Sequence, residues 1–428
     1  MMLNALVATL SYSISEIIPD IITESYVDDI TILSHCPLKL QAAATLLNEF
    51  AALTSQEVNT KKTMTFGTDE DPVIIFGEAP LCFSIRIKIL GAEFQVNHLG
   101  LGCVIEEKDV QQFEAFCKRV RYCGYNYETR EALISALGMP QLMKASCVME
   151  LTASAEKRVR TAVLTALWQK KSIRRSPAIV LTLLSKGHCC DPIQRTMYEK
   201  MTCYDRVLKN RPELEGLFER ARMHRQRHRL QRGRGRGPVA AITSHCRRLG
   251  VEWESARRMI FDELSVDVGG ANKVSLKHTV REKLRKSVWC QAARDRAKQG
   301  DMEGIQEGIN REATLGLYKR GNPRQRGALR KILAGEVWTQ QTRAKIPQNR
   351  EEGSTCKLCG HNDEDAEHLF WFCTEMEWLR DNSLLQGILD APPCTFHCGI
   401  FIGQGWDPWF TAQVHAQMTR IYIERFPK

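Results

Sequence analysis

The fold of this chain is decided by the stretch Ile21-Ile22-Thr23-Glu24-Ser25-Tyr26-Val27-Asp28-Asp29-Ile30-Thr31-Ile32-Leu33. Its β-branched and aromatic residues favour pleated strands, and Asp tolerates the backbone conformations of a tight turn. The pattern predicts a hairpin with strands at 21–26 and 30–33 and a turn that holds Val27 and Asp28. Two adjacent carboxylates at such a turn are suited to bind divalent cations, which stabilise the attacking and leaving oxygens of a phosphoryl transfer.

The residues after the hairpin predict further elements in a definite order. Pro37 suits the first turn of a helix, and apolar residues recur at helical spacing from Leu38 to Leu53. A strand is predicted from Val73 to Phe76, and a second hairpin from Ile85 to Phe94. The expected fold class is therefore α+β, with an antiparallel sheet and helices followed by mainly helical sequence.

The first hundred residues resemble the second half of a reverse transcriptase palm, and non-LTR retrotransposons are the nearest family. The resemblance is carried by three motifs, which are the metal-binding hairpin Tyr26-Val27-Asp28-Asp29, the Asn-x-x-Lys-Thr segment of Asn59 and Lys62-Thr63, and the primer-gripping hairpin at Leu90-Gly91. The resemblance implies an RNA-directed DNA polymerase that transfers nucleotides with two Mg²⁺ or Mn²⁺ ions. Its implied partners are an RNA template, a DNA primer and deoxynucleotides.

The resemblance also implies roles for single residues. Asp28 is the implied principal metal ligand and Asp29 is its partner, while Lys62 is implied to lie near the incoming triphosphate. The implied substrate-binding residues are Tyr26, Val27, Asn59, Leu90 and Gly91, with Tyr26 packed near primer or template. Lys61 and Lys62 equally suit a solvated pair at a strand end, because lysines usually face water.

A further metal-binding aspartate lies well upstream of the hairpin in this family, on a separate palm strand. Here only 27 residues precede Asp28, and Asp20 is the sole aspartate among them. The fingers are missing too, and Met1 to Leu10 resembles the tail of the palm helix. We therefore expect an N-terminally truncated polymerase with little or no activity alone, because two carboxylates on one turn bind Mg²⁺ weakly.

A second cluster has the spacing of a zinc site, C-x2-C-x8-H-x4-C, and its members are Cys356, Cys359, His368 and Cys373. The two thiolates of a C-x2-C pair bind one side of a tetrahedral ion, and the later His and Cys complete it. No coordination position stays open for catalysis, so the spacing predicts structural Zn²⁺. Competing ligands are His361 and the pair Cys394 and Cys398. The segment also resembles the CCHC element that follows many non-LTR reverse transcriptase domains.

The net charge of the chain is +10, and the excess of basic residues is clustered. One run begins at Arg220 and passes into an Arg-Gly linker that ends at Pro238, and the segment Lys319 to Lys331 repeats the bias. Such runs suit a phosphate backbone, with affinity that falls as salt rises. The candidate nucleic-acid-binding residues are Arg225, Arg227, Arg229, Arg232, Arg234 and Arg236. A solvated linker or a nuclear-import signal would have the same composition.

Five regions are expected along the chain. They are a partial palm at 1–100, a helical thumb-like region at 101–180, a basic helical region at 181–350 with the Arg-Gly linker at 231–238, a CCHC zinc module at 351–380, and a tail of unknown fold at 381–428. In the resembled family the thumb follows the primer grip and packs on the nascent duplex. Apolar residues recur at helical spacing through much of residues 110–168, as such a thumb requires.

Composition indicates an intracellular protein with real hydrophobic cores. Hydrophobic residues make up 43% of the chain, and the 16 cysteines are spread irregularly, which favours a reducing compartment. No stretch reaches membrane-spanning length without charge, so no membrane contact is expected. The arginine run leaves a nuclear location open.

Two alternatives stand beside the polymerase interpretation. One is a non-enzymatic nucleic-acid-binding zinc protein that uses the Arg-Gly linker and the CCHC module, with the palm remnant as scaffold. The other is an unrelated zinc-stabilised helical protein with an accidental Asp-Asp turn. The absence of a hairpin over residues 21–33 would favour this last interpretation.

Overall fold

The structure is a computed structural model, and it describes residues 2–26, 29–67, 73–89, 92–97, 100–103, 105–144, 146–148, 151–169, 174–227, 237–270 and 273–427. The chain divides into two compact units. The first comprises residues 1–105 with 148–150 and 232–238, and the second comprises 106–147, 151–231 and 239–428. Helices and several small sheets make up both units, in agreement with the expected α+β class.

The first unit begins with the hairpin that the sequence predicts. Its opening elements are α1 (Met2–Ile17), β1 (Ile22–Tyr26), β2 (Asp29–Leu33) and α2 (Pro37–Leu53). Strands β1 and β2 pair antiparallel, with Tyr26 opposite Asp29 and Ile22 opposite Leu33. The predicted hairpin is confirmed, and so is the helix that starts at Pro37.

One face of this hairpin packs on the helices and the other is open. Ile30 and Ile32 of β2 pack against a small core, whose buried members are Leu10, Ile14, Ile18, Ile21 and Ala43. Side chains alternate along a strand, so Asp29 and Leu33 lie on the opposite face. On that face Ile22 is 57% exposed and Leu33 is 39% exposed. The hairpin therefore presents Asp29 to solvent, away from the helices.

The remainder of the first unit consists of short strands. They are β3 (Met64–Thr65), β4 (Ile75–Phe76), β5 (Ala79–Pro80), β6 (Cys82–Phe83), β7 (Arg86–Ile89), β8 (Ala92–Asn97) and β9 (Gly100–Cys103). Strands β7 and β8 pair antiparallel with Ile89 opposite Ala92, which confirms the second predicted hairpin. The strand predicted from Val73 to Phe76 comprises only Ile75 and Phe76, and Gly77 then turns the chain at φ +63° so that β4 pairs with β5.

The rest of the chain is largely helical. In chain order the helices are α3 (Glu107–Tyr122), α4 (Tyr127–Leu133), α5 (Met139–Leu142), α6 (Ala153–Trp168), α7 (Pro177–Thr182), α8 (Gly187–Cys190), α9 (Pro192–Asn210), α10 (Glu215–Arg227), α11 (Pro238–Leu249), α12 (Lys273–Asp295), α13 (Arg311–Arg320), α14 (Pro323–Leu333), α15 (Gln340–Ala344), α16 (Asn382–Gln386), α17 (Pro393–Cys398) and α18 (Pro408–Arg425). Single π-helical turns occur at Ile134–Gly138 and His368–Phe372.

A three-stranded sheet interrupts the region that was expected to be helical. Strands β10 (Val251–Ser255), β11 (Arg258–Phe261) and β12 (Leu264–Asp267) form an antiparallel meander. Its buried residues, among them Trp253 and Phe261, share a core with Met201 and Tyr204 of α9. The basic helical region expected at 181–350 therefore also contains a small sheet, which the sequence analysis did not predict.

The zinc segment and the C-terminal residues share one hydrophobic core. The π-helical turn contributes Leu369, Phe370 and Trp371, and these pack with residues of α13, α14 and α18. Where the structure describes it, the tail of unknown fold thus contains three helices, α16, α17 and α18, and α18 covers the inner side of the zinc segment. Among the described residues, no helix combines the length and apolar character needed to cross a membrane.

Candidate metal sites

The predicted zinc ligands converge on one point. The ligand atoms of Cys356, Cys359, His368 and Cys373 all lie within 4.8 Å of one another. The Cys356 and Cys373 sulfurs are 3.9 Å apart, and the Cys359 sulfur lies 3.3 Å from Nε2 of His368. A tetrahedral zinc ion with ordinary bond lengths separates two sulfurs by about 3.8 Å and a sulfur from a nitrogen by about 3.6 Å. The four residues therefore fit zinc through Nε2 of His368.

The turn that carries His368 brings its ring and the Cys373 sulfur to the same cluster. His368–Phe372 forms a π-helical turn, and its backbone N–H at His368 donates to Oδ1 of Asp365 at 2.7 Å. The turn directs Leu369, Phe370 and Trp371 into the core and leaves Phe372 exposed, so metal binding and core packing depend on the same backbone. With four protein ligands the site is of the closed, structural kind.

Burial sets the protonation of the metal-free ligands. Burial raises the pKa of the Cys356 thiol to about 12 and also raises that of Cys373. Burial would raise the pKa of Cys359 too, but hydrogen bonds from the His361 backbone and the Cys356 thiol lower it overall. Burial and the neighbouring His361 lower the pKa of His368, which keeps its imidazole neutral. A neutral imidazole is the form that binds a metal ion.

Two charged residues hold the ligand loop in place. The fully buried Glu364 accepts a hydrogen bond from the Gln340 backbone at 3.2 Å and pairs with Arg425 of α18 at 3.0 Å. Arg380 donates to the backbone carbonyls of Trp371 and Cys373. Sequence analysis missed both residues, because their partners lie far away in the chain or on the backbone. Both lie among other polar and charged residues, so the local sequence carried no signal for them.

The competing ligands lie outside this cluster. The His361 ring stacks on the His368 ring, with centroids 4.6 Å apart. Cys398 donates to the carbonyl of Asp301 at 3.4 Å, and Cys394 points to the carbonyl of Ile400 at 3.6 Å. In the described part of the chain the four ligands above are the one group of this kind.

The solvent side of the zinc segment is acidic. A cavity of about 530 Å³ opens beside Cys359 and His368, and it is lined by Asp363, Asp365 and Glu367. Carboxylates at this density repel a phosphate backbone. The geometry therefore favours a stabilising role for the zinc segment over direct contact with nucleic acid.

The second candidate metal site is the hairpin. Asp29 is the first residue of β2 and lies on its open face, whereas Val27 and Asp28 lie outside the described residues. The described part thus supplies one carboxylate, and Mg²⁺ stays a prediction. Asp20, the other upstream aspartate, lies in the turn before β1 and pairs with Lys39 at 3.1 Å.

The other predicted polymerase residues are described only in part. Asn59 closes a turn in which its Oδ1 accepts from the Lys62 backbone at 3.2 Å, and the Lys62 side chain is exposed. Within the described ranges no hydrogen bond or ion pair joins Lys62 to Asp29. The side chain of Tyr26, and all of Leu90 and Gly91, lie outside the described residues.

The predicted arginine run divides into structural and undescribed residues. Arg222 is buried in α10, where it pairs with Glu219 and donates to the carbonyl of Trp253 at 3.1 Å. Arg225 is half-buried in the same helix. The side chain of Arg227 and all of Arg229, Arg232, Arg234 and Arg236 fall outside the described residues. In the second basic segment Arg330 lies over the ring of Tyr127, so part of that charge is used internally as well.

Comparison of the chain with protein-family models, with curated proteins and with solved structures finds no match. The function is therefore argued from the residues of the two candidate sites.

Proposed function

We propose that this chain is the part of a non-LTR reverse transcriptase that runs from the metal-binding hairpin to the zinc segment, and that it holds a primer and template. The observation that carries the proposal is the register of the first hairpin. Tyr26 pairs with Asp29, so only Val27 and Asp28 separate the two strands, as the resembled motif requires. The face of Asp29 is open, while the opposite face packs on helices.

In this proposal the carboxylates of Asp28 and Asp29 hold Mg²⁺ or Mn²⁺, with Asp28 as the principal ligand. The bound ions would stabilise charge on the attacking and leaving oxygens of nucleotidyl transfer. Asp29 contributes by pointing from a rigid strand end into solvent, where a phosphate can approach. Because no group of three potential metal ligands among the described residues includes Asp29, we expect binding of primer and template without extension.

Fluorescence anisotropy with a labelled DNA primer annealed to an RNA template tests the proposal. We expect binding that tightens when millimolar Mg²⁺ is added, since a cation held by the carboxylates would offset their negative charge toward the phosphates. The double replacement Asp28→Ala with Asp29→Ala should remove the Mg²⁺-dependent part. Asp20→Ala is the matched control, because that exposed carboxylate pairs with Lys39 away from the turn. The absence of binding at low salt would overturn the proposal.

Primer extension on the same duplex tests the predicted inactivity separately. The isolated chain should add no deoxynucleotides with Mg²⁺ or Mn²⁺. Robust synthesis that depends on Asp28 would contradict the inactivity while supporting the polymerase assignment.

A second candidate is a non-enzymatic nucleic-acid-binding protein that is stabilised by zinc. The closed Cys3His cluster favours it, because such a site offers no chemistry of its own. Binding would then persist in the Asp28 and Asp29 variants and would fall when Arg232, Arg234 and Arg236 are replaced. The third interpretation, an accidental Asp-Asp turn, would have been favoured by the absence of a hairpin over residues 21–33, and the pairing of β1 with β2 removes that support.

A further inference from the structure

A pair of parallel-running helices, α3 and α6, presents a basic face in the second unit. Arg158 of α6 pairs with Glu107 near the start of α3, and Arg121 at the end of α3 donates to the carbonyl of Gln169 at the end of α6. Beyond that first ion pair the face has no free carboxylate of its own. Residues 115–127 and residues 157–169 contain no Asp or Glu.

The groove between the two helices carries this charge. Its volume is about 360 Å³, and its lining includes Lys118, Arg121, Lys157, Thr161 and Thr165. Glu114 also lines the groove and accepts a hydrogen bond of 3.0 Å at Oε1 from Arg158, so Arg158 is shared between Glu107 and Glu114. The other charged lining residues are Lys118, Arg121 and Lys157, and a polyanion would meet their excess of positive charge away from that shared pair.

Two exposed aromatic rings stand at the end of the groove. Tyr122 is 70% exposed and Tyr125 is 51% exposed. The Arg121 guanidinium lies over the Tyr122 ring, 5.3 Å from its centroid. Large exposed rings beside basic groups are the arrangement with which proteins stack unpaired bases and hold their phosphates.

The turn that carries these rings is held from within. The buried side chain of Arg130 donates to the carbonyl of Tyr125 and, at 2.8 Å, to the carbonyl of Leu167. Gln169 donates to the carbonyl of Cys123 at 3.5 Å. The backbone between the rings is thereby fixed to the end of α6, so stacking a base would require little reordering of the protein.

We propose that this α3–α6 surface, formed by Lys118, Arg121, Tyr122, Tyr125 and Lys157, binds single-stranded nucleic acid. The inference rests on the proposed function and deepens it by naming the strand and the residues. The resemblance implies a nascent duplex against the helical region, whereas exposed rings favour an unpaired strand. Bases inside a duplex are already stacked on each other and leave tyrosine rings little to gain.

Fluorescence anisotropy with a labelled oligodeoxythymidylate of about 16 nucleotides tests the surface on the full chain. The double replacement Tyr122→Ala with Tyr125→Ala should weaken binding at least roughly tenfold, because each stacked ring contributes roughly 5- to 150-fold. Affinity for a duplex of equal length should change less than about twofold. The double replacement by Phe keeps the rings and should retain wild-type affinity.

Controls separate stacking from folding and from bulk charge. Trp409→Ala removes a ring that is 68% exposed elsewhere and should leave binding unchanged. Each variant should melt at the wild-type temperature. Replacing Lys118 and Lys157 by Gln should lower the salt dependence of single-strand binding by about 1.4 in log–log slope, since each phosphate contact contributes about 0.7.

Three outcomes would overturn the proposal. Wild-type affinity of the alanine variant for the single strand would refute this surface and leave the proposed function standing. Equal losses for single strand, duplex and polyglutamate would indicate a site for any polyanion instead. If the wild-type chain binds no nucleic acid at low salt, the proposed function and this surface fail together.

Discussion

Removal of zinc should unfold the C-terminal core rather than release a loop. The turn between His368 and Cys373 places Leu369, Phe370 and Trp371 in a core shared with α14 and α18. Without the ion, two buried thiols, one half-buried thiol and an imidazole face each other with no common partner. The turn then loses the constraint that directs the three apolar side chains inward.

The size of the effect follows from those side chains. Burial of Leu369 and of Phe370 contributes about 1.5–3 kcal/mol each, and Trp371 contributes about 5 kcal/mol from roughly 200 Å² of buried surface. The total is of the order of 8 kcal/mol, within the range of about 5–15 kcal/mol for the whole free energy of unfolding of a domain. A core that loses this contribution should not stay folded at ordinary temperature.

Metal analysis, circular dichroism and thermal unfolding check the prediction together. The chain as purified should contain one zinc per molecule, and a strong chelator should abolish the near-ultraviolet signal of the buried Trp371. Cys359→Ser should reproduce the loss without chelator. Cys290→Ser is the matched control, since that thiol is also half-buried but lies outside the cluster. A zinc-free chain with unchanged melting and an intact tryptophan signal would refute the reasoning.

Three further predictions concern the same fold. Zinc affinity should fall about 10²- to 10³-fold for each unit by which the pH decreases between 8 and 6. The reason is that burial raises the pKa of Cys356 and of Cys373, so zinc must displace their protons. Competition with a fluorescent chelator measures the affinity. Glu364→Ala should lower the free energy of unfolding by about 3–5 kcal/mol in urea titrations, because it leaves the Arg425 charge without its buried partner. Gly138→Ala should cost about 1–3 kcal/mol in the same assay, because its Cβ would lie 2.5 Å from an aromatic ring of α3.

The two substitutions have matched controls, and the pH dependence has an outcome that would contradict it. A zinc affinity that does not change with pH would mean that the metal-free thiols are already ionised. Asp363→Ala lies on the same loop as Glu364 but is exposed, so it should cost less than about 0.5 kcal/mol. Gly327→Ala adds a methyl group in open space within a helix and should be neutral or stabilising by about 0.5–1 kcal/mol. Equal losses in the paired variants would contradict the packing argument.

Local patterns predicted the elements that depend on neighbouring residues. The first hairpin follows from alternation in Ile21 to Leu33, and the four zinc ligands follow from spacing alone. The sheet over residues 251–267 was missed although buried and exposed residues alternate along its strands. Its apolar residues also suit the packed face of a helix, and the sequence around it is basic and helical. The local signal that could have been used is Asp262, because Asp tolerates the positive φ, here +55°, of the turn between β11 and β12.

Long-range partners could not be read from the sequence. Glu364 and Arg425 are 61 residues apart, and no local rule connects them. Arg222 looked like one member of a phosphate-binding run, yet its guanidinium serves the carbonyl of Trp253. Charge density along a chain gives no information about which charges the fold uses internally, so individual arginines in such a run had to be located in three dimensions.

The shared core has a consequence for how this part of the chain can be inherited or shortened. If the zinc segment were moved alone to another protein, it would bring Phe370 and Trp371 without Val414 and Met418, which share a core with them here. A chain cut after residue 380 would leave the same rings in water and would be prone to aggregate. Exchange of the metal-binding segment between lineages is therefore expected only together with the terminal helix.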